Sequence, residues 1–218
     1  MRRSHEFVST LCALSFAHTF NPYADNCPIH DKADAPRQRA TVLRAMLDAA
    51  ALCEIDSIWI GRDLGYRGGR RTGLALTDDV HISAHARRWG VSVHRATKGQ
   101  AVAERTAAVI WTVLEQIEVP IFLWNVFPLH PHEPGDPFSN RSHNAQERAV
   151  GEDILAELIT LLRPKRIVAI GNDAAKSAVR VASNNEVTTQ VRHPSYGGQT
   201  EFLAQIRLLY RCRSQTLI

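Results

Sequence analysis

Apolar residues recur along this chain in two rhythms, and their alternation predicts the fold class. Leu43, Met46, Leu47 and Ala50 fall three and four apart, which predicts an amphipathic helix over Arg37 to Cys53. The run Ile55 to Ile60 that follows lacks this period and predicts a buried strand. Thr77-Asp78-Asp79 then supplies a helix start, and a short helix through His85 to Trp89 is stopped by Gly90. Val102, Thr106, Val109, Ile110, Val113, Leu114 and Ile117 predict a longer helix between Gln100 and Ile117, after which Pro120 opens a second strand, Ile121 to Trp124, ending at Asn125. Asn144 with Glu147 three residues on reads as a capping box, and Ile154, Leu155, Leu158, Ile159 and Leu162 give the helix it opens a buried face. Ile167 to Ile170 is a third strand, followed by Gly171-Asn172 and a helix through Val181. A short fourth strand, Val187 to Val191, and a last helix, Glu201 to Tyr210, complete the series. Phe7 to Ala17 is expected to be a first core helix, because Glu6 and several Ser and Thr dilute it as a signal peptide.

Strands alternating with helices argue for an α/β fold with a parallel sheet covered on both faces. In such a sheet a ligand lies beyond the carboxyl ends of the strands. Here those ends deliver Asp63, Asn125, Gly171-Asn172 and His193. Taken singly, Asp63 is equally a helix cap or the partner of a neighbouring arginine, Asn125 a turn residue, and His193, held extended by Pro194, a structural histidine. Together they form a constellation. A carboxylate activates water or stabilises a cationic transition state, a carboxamide reads the edge of a nucleobase, and a histidine stabilises a departing anion.

Length and composition bound this picture. The 218 residues, 44% hydrophobic and 22% charged, suffice for one substantial core, so a single domain over residues 1–218 is expected. A formal charge of +4 suits a polyanionic partner. Arg67, Arg70 and Arg71 concentrate that charge in the glycine-rich stretch Gly61 to Gly73, whereas Arg87-Arg88 and Arg163, Lys165 and Arg166 read as solvated surface. The glycine-rich stretch lacks the Gly-Lys-Ser/Thr of a nucleotide-binding loop and the spacing of a dinucleotide fingerprint. Cys12, Cys27, Cys53 and Cys212 are scattered, which announces neither a zinc nor an iron-sulfur site and suggests reduced thiols. No apolar run approaches a membrane span, so a soluble protein is expected. Val126 to His143, rich in proline and without periodicity, reads as a long irregular loop of the kind that tends to be functional.

These residues resemble a family. Gly61-Arg62-Asp63-Leu64-Gly65 is similar to the first motif of the uracil-DNA glycosylase superfamily, Trp124-Asn125-Val126-Phe127-Pro128 to its strand-end asparagine, and His193-Pro194-Ser195-Tyr196-Gly197-Gly198 to its second motif. Phe20-Asn21-Pro22-Tyr23, Thr72-Gly73-Leu74-Ala75-Leu76 and Gly135 to Arg141 extend the resemblance over most of the chain. It implies a three-layer α/β/α sandwich with a central four-stranded parallel sheet, and a monomeric, cytoplasmic, metal-independent enzyme that needs no cofactor and excises uracil from DNA. Asp63 would position water and face the oxocarbenium-like sugar, Asn125 would bond the O4 and N3 edge of uracil, and His193 would donate to O2. Arg62, Gly65, Tyr66 and Leu76 would line the base site, and Arg67, Arg70, Arg71, Ser195, Gly197 and Gly198 would contact phosphate, with Tyr196 as the wedge. The chain departs from the pattern in places. The family's methyl-blocking tyrosine falls on Gly65, which leaves exclusion of thymine to another residue, with Tyr66 the candidate, and its stacking aromatic falls on Leu76. Two alternatives stay open: a non-catalytic module that binds uracil-containing or abasic DNA, and a glycosylase for hypoxanthine or xanthine.

Overall fold

The computed structural model describes residues 2–182 and 187–211. Its elements run α1 (Arg2–Ala13), β1 (Thr19–Phe20), α2 (Ala35–Ala50), β2 (Ser57–Asp63), α3 (Gly69–Thr72), α4 (Ile82–Arg88), α5 (Arg105–Leu114), β3 (Ile121–Phe127), β4 (His130–Pro131), α6 (Ala145–Leu162), β5 (Arg166–Ile170), α7 (Asn172–Val181), β6 (Val187–Val191) and α8 (Gln199–Tyr210). The main sheet is four-stranded and parallel, ordered β3-β2-β5-β6. The expected α/β/α sandwich is what the chain forms.

Period-2 alternation along the strands divides the core. Ile58, Ile60, Phe122, Trp124, Ile167 and Ala169 pack with α1, α2, α6 and α7, while Trp59, Ile121, Leu123, Val168, Ile170 and Val191 pack with α5 and α8. Each strand is apolar on both faces because helices cover both. The polar atoms on the second face are satisfied locally: the Tyr210 hydroxyl lies 2.5 Å from Ser57 Oγ and accepts from Trp59 Nε1 at 2.7 Å, which anchors α8. Phe7 and Leu11 of α1 are buried, so the first helix belongs to the core as expected. Asn144 and Glu147 form the expected capping box, with Asn144 Oδ1 accepting from Glu147 N at 3.0 Å and Glu147 Oε2 accepting from Asn144 N at 2.7 Å.

Several boundaries differ from the sequence pattern, each for a tertiary reason. β2 runs three residues past Ile60 and β3 two past Asn125, since Gly61 and Asp63 pair with Asn125 and Phe127. Within the expected irregular loop, β4 pairs antiparallel with β1, which fastens the N-terminal arm to the loop. α5 begins at Arg105 and not Gln100, because the Glu104 N–H is taken by Asp78 Oδ2 at 2.7 Å. Cys12, Cys27 and Cys53 are free thiols, and Cys212 lies outside the described residues. Among the described residues no helix is long and apolar enough to cross a membrane.

Candidate active site

The parallel register gathers the candidate residues at one sheet edge. Gly61 of β2 lies beside Asn125 of β3, and Asp63 sits two residues further out. From the other side, the turn after β6 brings His193 against Gly171, where an added Cβ would stand 3.2 Å from the His193 Cβ. Between them lies a cavity of about 530 Å³, walled by Asp63, Asn125, His193, Leu76, Arg62 and Gly65 among others.

Asp63 reaches this cavity with both carboxylate oxygens engaged. Oδ2 accepts from Arg62 Nε at 2.8 Å and Oδ1 lies 2.5 Å from His143 Nδ1, while Arg62 also reaches Asp173 at 3.2 Å. The arginine partnership and the place on the cavity wall, set apart as alternatives by the sequence, hold together. Each carboxylate oxygen has a second lone pair, so the anchored group can still accept from water. His143 is a contributor that sequence reasoning missed. It sits at the end of the expected irregular loop, one residue before the cap of α6, and no motif points to it.

Asn125 is buried, and among the described residues its Oδ1 has no hydrogen-bond partner. An orphaned buried amide oxygen costs about 1–3 kcal/mol, which a ligand donor aimed at it would recover. Gly61 is required beside it: a Cβ there would run into Asn125 Oδ1 and stand 2.9 Å from Leu76 Cδ2. Leu76 lines the cavity in a left-handed conformation at φ 55°, with its carbonyl accepting from Trp111 Nε1 at 3.1 Å. A left-handed leucine is uncommon, and its presence on the cavity wall matches the concentration of such backbone strain at functional sites.

His193 has a defined tautomer. Its Nδ1 accepts from the Ser195 N–H at 3.1 Å, which leaves the ring proton on Nε2. Burial, and then the nearby Arg62 and Arg192 guanidiniums, push its pKa below the usual imidazole value, so the ring is neutral at pH 7. Ser195 Oγ lies 3.4 Å from Thr106 Oγ1, which ties this turn to the start of α5. Tyr196, fully exposed at φ 53°, stands at the cavity rim beside Gly197.

Two expected phosphate contacts are corrected by burial. Arg71 is 5% exposed and spent on Asp79, donating from Nε at 2.8 Å and Nη2 at 2.7 Å. Arg70 is also buried, its guanidinium 3.9 Å from the Phe20 ring centre and 4.9 Å from that of Phe138. Both point into the protein because α3 turns the glycine-rich stretch inward after Gly68. Of the three arginines only Arg67 is exposed. Arg71→Ala is therefore expected to cost stability, by at most roughly 3–5 kcal/mol, because it leaves the buried Asp79 carboxylate with only Thr97 Oγ1 at 3.1 Å, the Val102 N–H at 3.3 Å and Arg95 at 4.0 Å among the described residues. Chemical denaturation measures this; a midpoint within error of wild type would return Arg71 to the surface. Tyr66 does not line the cavity: its N–H donates to Asn140 Oδ1 at 2.9 Å, and Arg67 lies over its ring.

Glu104 is the second residue that sequence reasoning missed. As the residue before α5 it offers no side-chain cap to its own helix, and its carboxyl leans over the glycines of the loop after β2. Burial, and then the neighbouring Asp78 carboxylate, push its pKa up to about 7. A carboxyl raised in the fold from its ordinary 4.5 contributes stability that is complete below that value and lost as pH rises through about 7. Glu104→Gln should accordingly melt higher than wild type at pH 8, by at most about 3 kcal/mol, with the gap closing toward pH 5. Thermal melts across that range test it, and a gap that widens in acid would reverse the assignment.

Among the described residues no group of three or more His, Cys, Asp or Glu side chains is placed to hold a metal ion. The family model described as "Uracil DNA glycosylase superfamily" matches residues 58–209. No curated protein sequence matches the chain. Among solved structures, wild-type Pedobacter heparinus SMUG2 superposes with a TM-score of 0.65 at 13% identity, over 96% of this chain and 97% of that one, a likeness of fold. A mimivirus UNG in complex with UGI gives a TM-score of 0.42 at 12% identity, over 90% of this chain and 70% of that one.

Proposed function

Because the chain belongs to the uracil DNA glycosylase superfamily of DNA repair glycosylases, we propose that it flips uracil out of DNA and hydrolyses its N-glycosidic bond, leaving an abasic site. The observation that carries this reading is the Asn125 carboxamide, buried in the cavity with its oxygen unpartnered. A fixed amide presents a donor and an acceptor side by side, which match the O4 and N3–H of uracil.

In this pose Asp63 lies on the sugar side. Water adds to C1′ with Asp63 accepting its proton, and the C1′–N1 bond breaks with its electron pair on the base. The carboxylate opposes the positive charge that develops on the sugar, the electrostatic demand of all glycoside hydrolysis. His193 stabilises the departing anion by donating from Nε2 to O2. Neutrality suits this task, since a neutral donor keeps its proton and stabilises the anion without having to protonate it. Leu76 supplies apolar area to the face of the flipped base.

The exposed Arg67, with Ser195 and the Gly197 amide, serves the phosphate backbone, and Tyr196 fills the gap left in the duplex; the expected Gly198 contact is corrected, because its buried N–H donates to Ser195 O at 3.1 Å. Arg67→Ala is expected to weaken binding to all sequences and to make the salt dependence shallower by about one unit. An unchanged slope in titrations at several salt concentrations would return Arg67 to the solvated surface.

The function itself is tested with purified protein and labelled oligonucleotides carrying uracil, thymine, hypoxanthine, xanthine or no lesion, with abasic sites scored after alkaline cleavage. Cleavage at uracil is expected. Tight binding with no cleavage would identify a non-catalytic module, and cleavage at hypoxanthine or xanthine alone would overturn the choice of base.

A further inference from the structure

Gly65 leaves the cavity wall without a side chain, and another residue fills the space. A Cβ built on Gly65 would stand 2.8 Å from Glu104 Oε1, and one on Gly68 would run into Glu104 Oε2. The Glu104 carboxyl thus lies flat over the two glycines, in the volume that side chains there would take. It lines the same cavity as Asn125 and Asp63. Its backbone N–H is held by Asp78, which fixes where the side chain starts, whereas among the described residues no donor engages the carboxyl itself. A polar group placed on a cavity wall with no protein partner faces whatever the cavity holds.

The ring geometry of the base says which edge that is. With Asn125 at O4 and N3 and His193 at O2, C5 lies across the ring from C2 and so points away from His193. His193 enters from the β5 and β6 side, against Gly171. In the proposed pose C5 faces the wall that Gly65 and Glu104 form, between the loop after β2 and the start of α5.

We propose that Glu104 is a specificity-determining residue that disfavours bases carrying a methyl group at C5, by occupying the volume beside Gly65 with a carboxyl to which an apolar substituent offers no hydrogen bond. This inference rests on the uracil reading and narrows it: the substrate is a pyrimidine with hydrogen at C5, and thymine is rejected by a residue from another element reaching over a glycine. Two effects act in the same direction. A methyl group collides with the carboxyl, and pressing it against that group removes water without supplying a hydrogen bond. Truncating Glu104 removes both. A Cβ on Gly65, too close in the wild type, then has room and restores the wall.

The test measures kcat/KM for uracil and for thymine, each opposite guanine in otherwise identical duplexes, with wild type, Glu104→Ala, Gly65→Ala and the double variant. Glu104→Ala should lower the uracil-to-thymine ratio at least about tenfold, and adding Gly65→Ala should recover most of it; one methyl in a pocket commonly controls discrimination of about 10–200-fold. Glu104→Gln, which keeps the volume, should hold the ratio near the wild-type value. Should Glu104→Ala not fold, Glu104→Ser carries the same expectation. An unchanged ratio in a folded truncation variant that still releases uracil overturns the inference alone. Absence of uracil release by the wild type overturns the functional reading, and the inference with it.

Discussion

Asp63→Asn is expected to bind uracil-containing DNA nearly as wild type does and to release uracil about 10²- to 10⁴-fold more slowly, the range typical of a lost acid-base group. Asp63 donates nothing to the phosphate backbone, so its loss falls on the transition state and lowers kcat with little change in binding. The neutral amide removes the charge that opposes the oxocarbenium-like sugar. It also changes its fit to the anchors. With the amide oxygen on Arg62 Nε, the NH₂ faces His143 Nδ1, which accepts only when the ring proton sits on Nε2. Asp63→Ala therefore serves as the control, since it removes the charge without installing a second donor. Single-turnover release, set beside gel-shift affinities, separates chemistry from binding. Near wild-type release by both variants would rule out Asp63 as the group that acts on water.

Asn125→Asp should depress uracil excision by a comparable margin for a different reason. A carboxylate there still accepts from N3–H but offers no donor to O4 and places a charge in a buried position, so a failed contact and a desolvated charge act together, at about 1–3 kcal/mol each. Together these correspond to roughly 2–6 kcal/mol, enough for several orders of magnitude. Cytosine presents the reversed pattern, an N4–H₂ donor beside a bare N3 acceptor, and a protonated carboxyl matches it. The variant should therefore gain measurable cytosine release as it loses uracil. Parallel assays on U·G and C·G duplexes decide the matter: equal uracil release by variant and wild type would move base reading away from Asn125.

How legible was this in the sequence? The strand-helix alternation was readable because Ile58, Ile60, Ile167 and Val168 sit in runs whose length and flanking signals suit only buried strands. That Asp63, Asn125 and His193 would meet at one cavity was readable because strand ends in a parallel sheet converge. The side chains that meet them were not. His143 and Glu104 reach the site from segments with no periodicity or motif at those positions, and only tertiary packing brings them in. Arg70 and Arg71 show the opposite failure. Charge in a glycine-rich stretch suggested a surface, but partners eight residues on in Asp79, and far away in Phe20 and Phe138, drew both inside. Nothing local in a sequence distinguishes an arginine facing phosphate from one buried against a carboxylate.

The short ladder between β1 and β4 has a bearing on where this protein can be divided. Thr19 and Phe20 pair with Pro131 and His130, Phe20 carries the Arg70 guanidinium on its ring, and Thr19 donates to Glu147 Oε1 at 2.9 Å, the same carboxylate that binds Arg141. Arg141 in turn braces the stretch that presents His143 to Asp63. Yet these first residues lie outside the span, 58–209, that the family model matches. The segment by which kinship is recognised is thus fastened near the site by residues that lie outside it. A fragment cut at residue 58 would retain the motifs from Gly61 onward and lose Phe20-Asn21-Pro22-Tyr23 together with the brace, and a single nick between residues 24 and 34 would leave the brace in place but join it to the later motifs by non-covalent contacts alone.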